Sequence, residues 1–492
     1  MPLLSIFSLH LTSENLLLLA SVLVFVAILV TKVGSRLGAP SLLFFLLLGM
    51  VVGSDGLGVH FEDYHAAETI GHFAMTIILF TAGLETSFKE TKPVLKQGIL
   101  LSTLGVLITI LLTGGFIWLI TGRFNSFTVL GCFLLAAVMG STDSASVFSV
   151  LKDKRLHLKE NLAPLLELES GSNDPMAYML TIIIVKLMTE GVTSAWQGVL
   201  GVIFTIVVQI VVGLVIGYLM GLAAKWVLEH IKLPSFALTA ILILSIAYFT
   251  NGLATILYGN GLLAIYVAAI TIGNKTNLEH KKEIHLFYDG LTWLMQLVMF
   301  LVLGLLARPS QMLQVMLPAL LIGAFMLLVA RPLSVFACML PFKKGLTLRA
   351  NAFVSWVGLK GAGPILFVLC PVVAGVEHST VMFNTVFLIT LLSLLLQGGS
   401  LRWMAGWLHL TYEEDPIPET FGMDIPEEMG MMRDHIVTEE DLVGGETLRD
   451  MHLPHGIRVM MVRRDDRFLV PHGSMKLMPG DKLVIIMGES DD

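Results

Sequence analysis

GCFLLAAVMGSTDSASVFSVLKDKRLHLKENLAPLLELESGSNDPMAYMLTIIIV, residues 131–185, decides how the rest of this chain is read. Two long apolar segments meet across a basic turn, and each carries carboxylates where hydrocarbon belongs. Asp143 sits in the first; Glu167, Glu169 and Asp174 sit in the second. A charged carboxylate near the centre of a bilayer costs about 2.5 to 3.5 kcal/mol on insertion scales. Four in one helical hairpin point to the handling of ions or protons.

The surrounding composition supports a membrane setting. Of 492 residues 55% are hydrophobic and only 14% charged, against about 25% charged in soluble domains. Apolar runs near the 20-residue spanning length fall at about 14–33, 40–58, 67–85, 96–121, 127–151, 161–189, 196–227, 235–251, 255–273, 285–306, 311–339, 350–373 and 380–407. The chain therefore reads as an all-α polytopic membrane protein of about thirteen spans. Cations crowd alternate loops: Lys32 and Arg36; Lys89, Lys92 and Lys96; Lys152, Lys154, Arg155 and Lys159; Lys225 and Lys232; Lys275, Lys281 and Lys282; Lys343, Lys344 and Arg349. The positive-inside rule places that set in the cytoplasm and the N-terminus outside. The N-terminus has no basic head or cleavage signal, so the first apolar run is expected to remain as a helix. Cys132, Cys338 and Cys370 all lie in apolar runs and read as small core residues. The net charge of −7 comes largely from residues after Trp407, and no basic nucleic-acid surface is visible.

Residues 1–410 form the membrane domain in this reading, and the acidic, proline-bearing stretch 411–430 a linker. Residues 431–492 read as a small cytosolic α+β domain: strands in RDHIVTEED, GIRVMMVRR, RFLVPHG and KLVIIMG, and a short helix in ETLRDMHL.

At 1.5 Å of rise per residue, Asp143, Glu169 and Arg331 lie about 12 Å deep, Lys360 about 15 Å and Asp174 about 20 Å. In a hydrocarbon core about 30 Å thick, one slab near the midplane holds them all, and their spans must converge there. Two spans are interrupted by small residues, at GSTDSAS (140–146) and GLKGAGP (358–364). Paired interrupted helices in two halves of a transporter mark a site built from inverted repeats. Asp143 would offset the positive half-helix N-termini and Lys360 the negative C-termini. Asp174 would hold a proton and surrender it to a competing alkali cation, with oxygens from Asn173, Ser170 and Thr142 beside it. Glu169 and Arg331, matched in depth and opposite in sign, read as a structural ion pair. Glu167 is shallower and expected at the cytoplasmic mouth. Asp289, Gln296 and Tyr178 are expected to line the cavity, while Glu85 and His72 are expected at the interface or facing the bundle.

GSTDSASVFSVL, LELESGSNDPMAY, LVARPLSVF and SWVGLKGAGPILF together resemble the NhaP branch of the monovalent cation:proton antiporter-1 family. The similarity is strongest to its potassium/proton antiporters with a C-terminal TrkA-C domain. It implies a homodimer in the bacterial inner membrane, each protomer with thirteen helices, NhaA-like inverted repeats and two crossed discontinuous helices. It also implies Asp174 as the ion-binding residue preceded by Asn173, an unwound Thr142–Asp143 pair, a Glu169–Arg331 ion pair, and electroneutral exchange. The family's span-twelve motif reads GLRGA, whereas Lys360 stands here at the arginine position, a point charge without the guanidinium fork. The TrkA-C resemblance implies pairing of the tail, with or without a small regulatory ligand such as a nucleotide.

The function expected is antiport of K⁺, or Na⁺, against H⁺, without enzymatic activity or a resident cofactor. An intramembrane aspartyl protease would need a Gly-x-Gly-Asp segment, but Asp174 follows Ser-Asn and Asp143 follows Ser-Thr. A ligand-gated channel would conduct without obligatory proton coupling.

Overall fold

The computed structural model describes residues 13–37, 40–121, 127–143, 147–148, 156–191, 195–231, 233–276, 280–342, 346–413, 432–438, 440–442, 445, 447–451, 457–464 and 467–487. The chain divides into two compact units, Met1–Glu413 and Glu414–Asp492.

The first unit is helical: α1 (Ser13–Leu37), α2 (Ser41–Val52), α3 (Tyr64–Glu85), α4 (Phe88–Thr121), α5 (Val129–Val138), α6 (Leu162–Glu190), α7 (Ala195–His230), α8 (Phe236–Ile256), α9 (Gly261–Lys275), α10 (Lys281–Leu306), α11 (Pro309–Met339), α12 (Leu348–Trp356), α13 (Ala362–Phe367, continued by Leu369–Val373) and α14 (Ser379–Trp407). Each predicted span has a helical counterpart, with α12 and α13 sharing one. Among the described residues, seven helices are long and apolar enough to cross a membrane, and five more are shorter apolar helices. The Leu162–Glu190 helix is long enough but carries the carboxylates quoted above. Exposed Leu200, Phe204, Val211 and Leu219 along α7 need hydrocarbon, not water, beside them. The boundary between α8 and α9 falls later than the 251/255 read from hydropathy. Tyr258 turns the chain at φ 59°, and the Asn260 side chain caps α9 by accepting from Leu263 N at 3.0 Å.

Two groups of helices result. In one, α2 packs on α10, α3 on α9 and α10, and α7 on α9. Its seams are backbone against backbone. A Cβ on Gly49 of α2 would stand 2.8 Å from Gly304 Cα of α10. In α7, Gly213, Gly217 and Gly221 repeat every turn against Asn260, Ala264 and Ala268. The other group comprises α4–α6 and α11–α14, and it carries an internal repeat. Helix α4 contains a 3₁₀ turn at Lys92–Val94 and a π turn at Leu101–Gly105; α11 has the same pair at Leu313–Val315 and Met326–Ala330. Each is followed by a broken helix and then by a long one, α6 or α14.

Strand β1 (Leu156–Leu158) pairs antiparallel with β2 (Thr411–Glu413). The stretch read as linker thus begins with a strand that returns to the α5–α6 connection; 414–430 lies outside the described residues. In the second unit, β3 (Met432–Ile436), β4 (Ile457–Arg464), β5 (Arg467–Leu469) and β6 (Lys482–Met487) form an antiparallel sheet in the order β3-β6-β4-β5. Val437, Val462, Leu477 and Leu483 form its small core. The helix expected in ETLRDMHL is not formed by the described residues there. Thr447 bridges Lys476, and Leu448–Asp450 make a turn closed by Asp450 N donating to Thr447 O and tied to the 473–475 segment by Leu448 N to Met475 O and Arg449 N to Gly473 O.

Candidate functional site

The two interrupted spans cross. Helix α5 ends at Val138 with Met139 as its C-cap, and α12 ends at Trp356. Between them the extended segments touch: Asp143 N donates to Leu359 O at 2.8 Å. Lys360 Nζ donates to Ser141 O at 2.8 Å, a carbonyl freed where α5 stops, so the ammonium lies at the negative end of that half-helix. The Asp143 carboxylate abuts Gly361, the N-cap of α13, at the opposite pole of the other half-helix. Any Cβ on Gly361 would overlap that carboxylate. Glycine is needed there for close approach. Lys360 is held from behind: its amide donates to Ser393 Oγ at 2.9 Å, Ser393 Oγ donates to Gln397 Oε1, and Gln397 Nε2 donates to Trp356 O at 2.7 Å. Gln397 sits in the π turn Leu394–Gly398 of α14, the kind of bulge that often marks functional sites.

Helix α6 presents its polar face to this crossing. Ser141 Oγ donates a short hydrogen bond to Asp174 Oδ1. Asn173 clamps the unwound segment, with Nδ2 2.5 Å from Thr142 Oγ1 and Oδ1 accepting from Thr142 N at 3.3 Å. Ser170 Oγ donates to Thr142 O at 2.8 Å. Asn173 is fully buried and spends its amide on that clamp. Pro175 lies inside α6 and has no N–H for the preceding turn, and Asn260 Nδ2 donates to the Pro175 carbonyl at 2.8 Å.

Glu169 and Arg331 meet as expected, with Nη2 2.5 Å from Oε1 and both side chains buried. They meet as two charges and not as an aligned hydrogen bond. Glu169 Oε1 and Arg331 Nε are both without a hydrogen-bond partner among the described residues.

A cavity of about 250 Å³ opens beside the crossing. Glu85, Asp143, Glu167, Asp174 and Asp289 line it, and among the described residues no basic one does. Five carboxylates in a low-dielectric cleft concentrate cations. A smaller recess of about 40 Å³ shares Asp143, Asp174 and Gln296 with that cavity and adds Ser141 and Thr142. Asp174 therefore lines both spaces. Asp289, Gln296 and Glu167 take their expected lining positions. Glu85, read as interfacial or bundle-facing, is exposed on the cavity wall. Tyr178 is absent from both linings: its ring stands one turn beyond Asp174 and bonds His72. Sequence reading missed Ser141, Ser393 and Gln397. Ser141 was visible beside the Thr-Asp pair, and Ser393 with Gln397 as an i,i+4 polar pair in LLSLLLQGG.

The family model described as "Sodium/hydrogen exchanger, transmembrane" matches residues 21–407, and the TrkA-C domain model matches 432–491. A protein of Shewanella sp. (strain ANA-3) named K(+)/H(+) antiporter NhaP2 is 36% identical over 480 residues, covering 96% of this chain and 81% of its own length. The K(+)/H(+) antiporter NhaP of Alkalimonas amylolytica is 35% identical over 486 residues, with the same coverage of each chain. Among solved structures, the sodium proton antiporter MjNhaP1 from Methanocaldococcus jannaschii at pH 8 superposes with a TM-score of 0.67 at 21% identity. That match covers 79% of this chain and 97% of the other, and it shows the fold.

Proposed function

The chain belongs to the sodium/hydrogen exchanger family, and from that premise we propose that it is a secondary antiporter exchanging K⁺ for H⁺ at Asp174, with Na⁺ the second candidate cation. The observation that carries this reading is the position of Asp174, lining both a carboxylate-rich cavity and the recess beside it, against the crossing of two half-helices. One carboxylate, the Ser141 hydroxyl and freed backbone carbonyls are hard oxygen ligands for an alkali ion. No described group of three or more His, Cys, Asp or Glu converges as a resident metal site would.

A desolvated carboxylate keeps either a proton or a cation, and only the loaded site is neutral enough to pass through the membrane interior. Lys360 and Asp143 compensate the half-helix ends in both states, and Glu169–Arg331 ties α6 to α11. Potassium is preferred on the strength of the antiporters that are 36% and 35% identical. Exchange is one-for-one and electroneutral. The N-terminus faces outward, the tail is cytoplasmic, and the acidic cavity opens to the cytoplasm beside the lysine-bearing start of α4. Two protomers pair, and the TrkA-C unit serves as a regulatory module or dimer clamp.

The test is proteoliposomes with a lumenal pH dye, challenged with KCl and NaCl. Alkalinisation or acidification following the cation gradient is expected, and Asp174→Asn abolishes it. Normal exchange by Asp174→Asn would refute the assignment. Comparing K⁺ with Na⁺ in the same vesicles decides between the cations, and insensitivity to an imposed voltage checks electroneutrality.

A further inference from the structure

Helices α3 and α6 run antiparallel past the ion site, so their residues pair level by level. Glu85 of α3 lines the cavity with Glu167 of α6, and Ile78 lines it with Asp174. Beyond Asp174, side chains of the two helices and of α13 meet. Tyr178 Oη and His72 Nε2 are hydrogen-bonded at 3.1 Å, with their rings edge-to-face and centroids 4.9 Å apart. Phe367 of α13 packs on the Tyr178 ring at 5.4 Å, and Leu366 fills the notch at Gly71. Leu366 and Phe367 are fully buried. His72 belongs to the helix group with backbone seams, whereas Tyr178, Leu366 and Phe367 belong to the group that carries the crossing. This layer is a junction between the two groups, on the far side of Asp174 from the cavity.

We propose that the His72–Tyr178 pair, backed by Phe367, is the gate that closes the ion site to the membrane face opposite the acidic cavity. The inference rests on the antiport reading of Asp174, because a carrier must expose its site to one face at a time. Opening toward the other face separates α3 from α6 at this level, and the His72–Tyr178 hydrogen bond is the polar contact that must break. Both residues are positioning residues. They set the balance between the two exposures and do not hold the ion.

The experiment is sided cysteine labelling of the full chain. Ile78→Cys, at the level of Asp174, is placed in a background with Cys132, Cys338 and Cys370 replaced by alanine. A membrane-impermeant thiol reagent is applied to right-side-out and to inverted vesicles. Labelling of the parent is expected chiefly from the acidic-cavity face. Tyr178→Phe keeps the ring and removes one hydroxyl, and His72→Phe keeps a ring and removes the partner nitrogen. Each is expected to raise labelling from the opposite face by roughly 3- to 10-fold, the effect of one hydrogen bond. The double variant is expected to do no more than either single, and His72→Gln, which restores a polar partner, to return toward the parent rate. A folding defect would lower labelling from both faces, not shift the ratio. Unchanged opposite-face labelling, or additive effects of the two singles, overturns the gate. Labelling needs no transported ion, so a shifted ratio in a protein without exchange would sink the antiport reading alone.

Discussion

Gly361→Ala is the sharpest probe of the crossing. A Cβ at this position would stand 2.7 Å from both Cβ and Cγ of Asp143. Carbon atoms rest at about 3.5 to 4.0 Å, so the overlap is about 1 Å. The neighbours are the two extended segments themselves, and either they part or the Asp143 carboxylate swings off the α13 N-terminus. Parting by about 1 Å would carry the two 2.8 Å contacts, Asp143 N to Leu359 O and Lys360 Nζ to Ser141 O, past hydrogen-bonding range. Overpacking costs roughly 1 to 3 kcal/mol, and each lost hydrogen bond roughly 0.5 to 1.5. A total near 3 kcal/mol is about a hundredfold loss of correctly crossed protein. Exchange in proteoliposomes should fall by about that factor while the protein still elutes as a folded species. Gly115→Ala and Gly290→Ala, where an added Cβ meets nothing within 4 Å, are the controls and should keep the parent rate. Exchange by Gly361→Ala within twofold of the parent would refute the reasoning.

Glu169→Gln strands the buried Arg331 charge and should cost roughly 3 to 5 kcal/mol in detergent denaturation, whereas replacing both partners by Leu and Met should recover most of it; equal loss in the double variant would count against a paired role. Asn260→Ala removes the α9 cap and the donor to Pro175 O, and amide exchange in the first turn of α9 should quicken about tenfold, corresponding to roughly 1 kcal/mol or more. In the second unit, the Arg464 guanidinium grips Asp481 through both oxygens, at 2.8 and 2.6 Å, and with the amide of Met478 holds its carboxyl below the ordinary 3.8. A lowered folded value means that the stabilisation is complete above about pH 4 and is lost as pH falls below it. Protection factors of the β4 and β6 amides in the full chain should therefore fall below pH 4, and Asp481→Asn should be weakened already at pH 7 and respond less to acid.

Much of this architecture is written in hydropathy and charge. The spans, the two breaks and the Glu169–Arg331 match all follow from the expense of polar groups in hydrocarbon, which forces partners to equal depth. Boundaries set by one side chain were harder: the α8–α9 turn depends on Asn260 capping and on Tyr258 accepting a positive φ, neither of which hydropathy registers. Asn173 looked like an oxygen ligand because its neighbour is Asp174, yet helical geometry points adjacent residues in different directions, and Asn173 faces Thr142 instead. Tyr178, expected to line the cavity, lies one turn from Asp174. Which way that turn runs, toward the opening or away from it, depends on tertiary packing. In ETLRDMHL a helical composition yields to the bridge between Thr447 and Lys476, a long-range pairing that local propensity does not contain.

The absence of side chains at a few helix crossings decides which parts of this protein can travel. Where Gly49 meets Gly304, and where Gly213, Gly217 and Gly221 meet α9, main chain rests on main chain, and a slip of even one residue would drive a Cβ into a peptide. Those helices have no slack and must keep their register. Elsewhere the two groups touch through the tips of Leu366 over Gly71, Tyr266 over Gly171 and Tyr178 on His72, groups that can rotate aside and regroup a notch further along. On the antiport proposed above, the welded side is the frame, and the Asp174 helix with its crossed companions is the piece that shuttles.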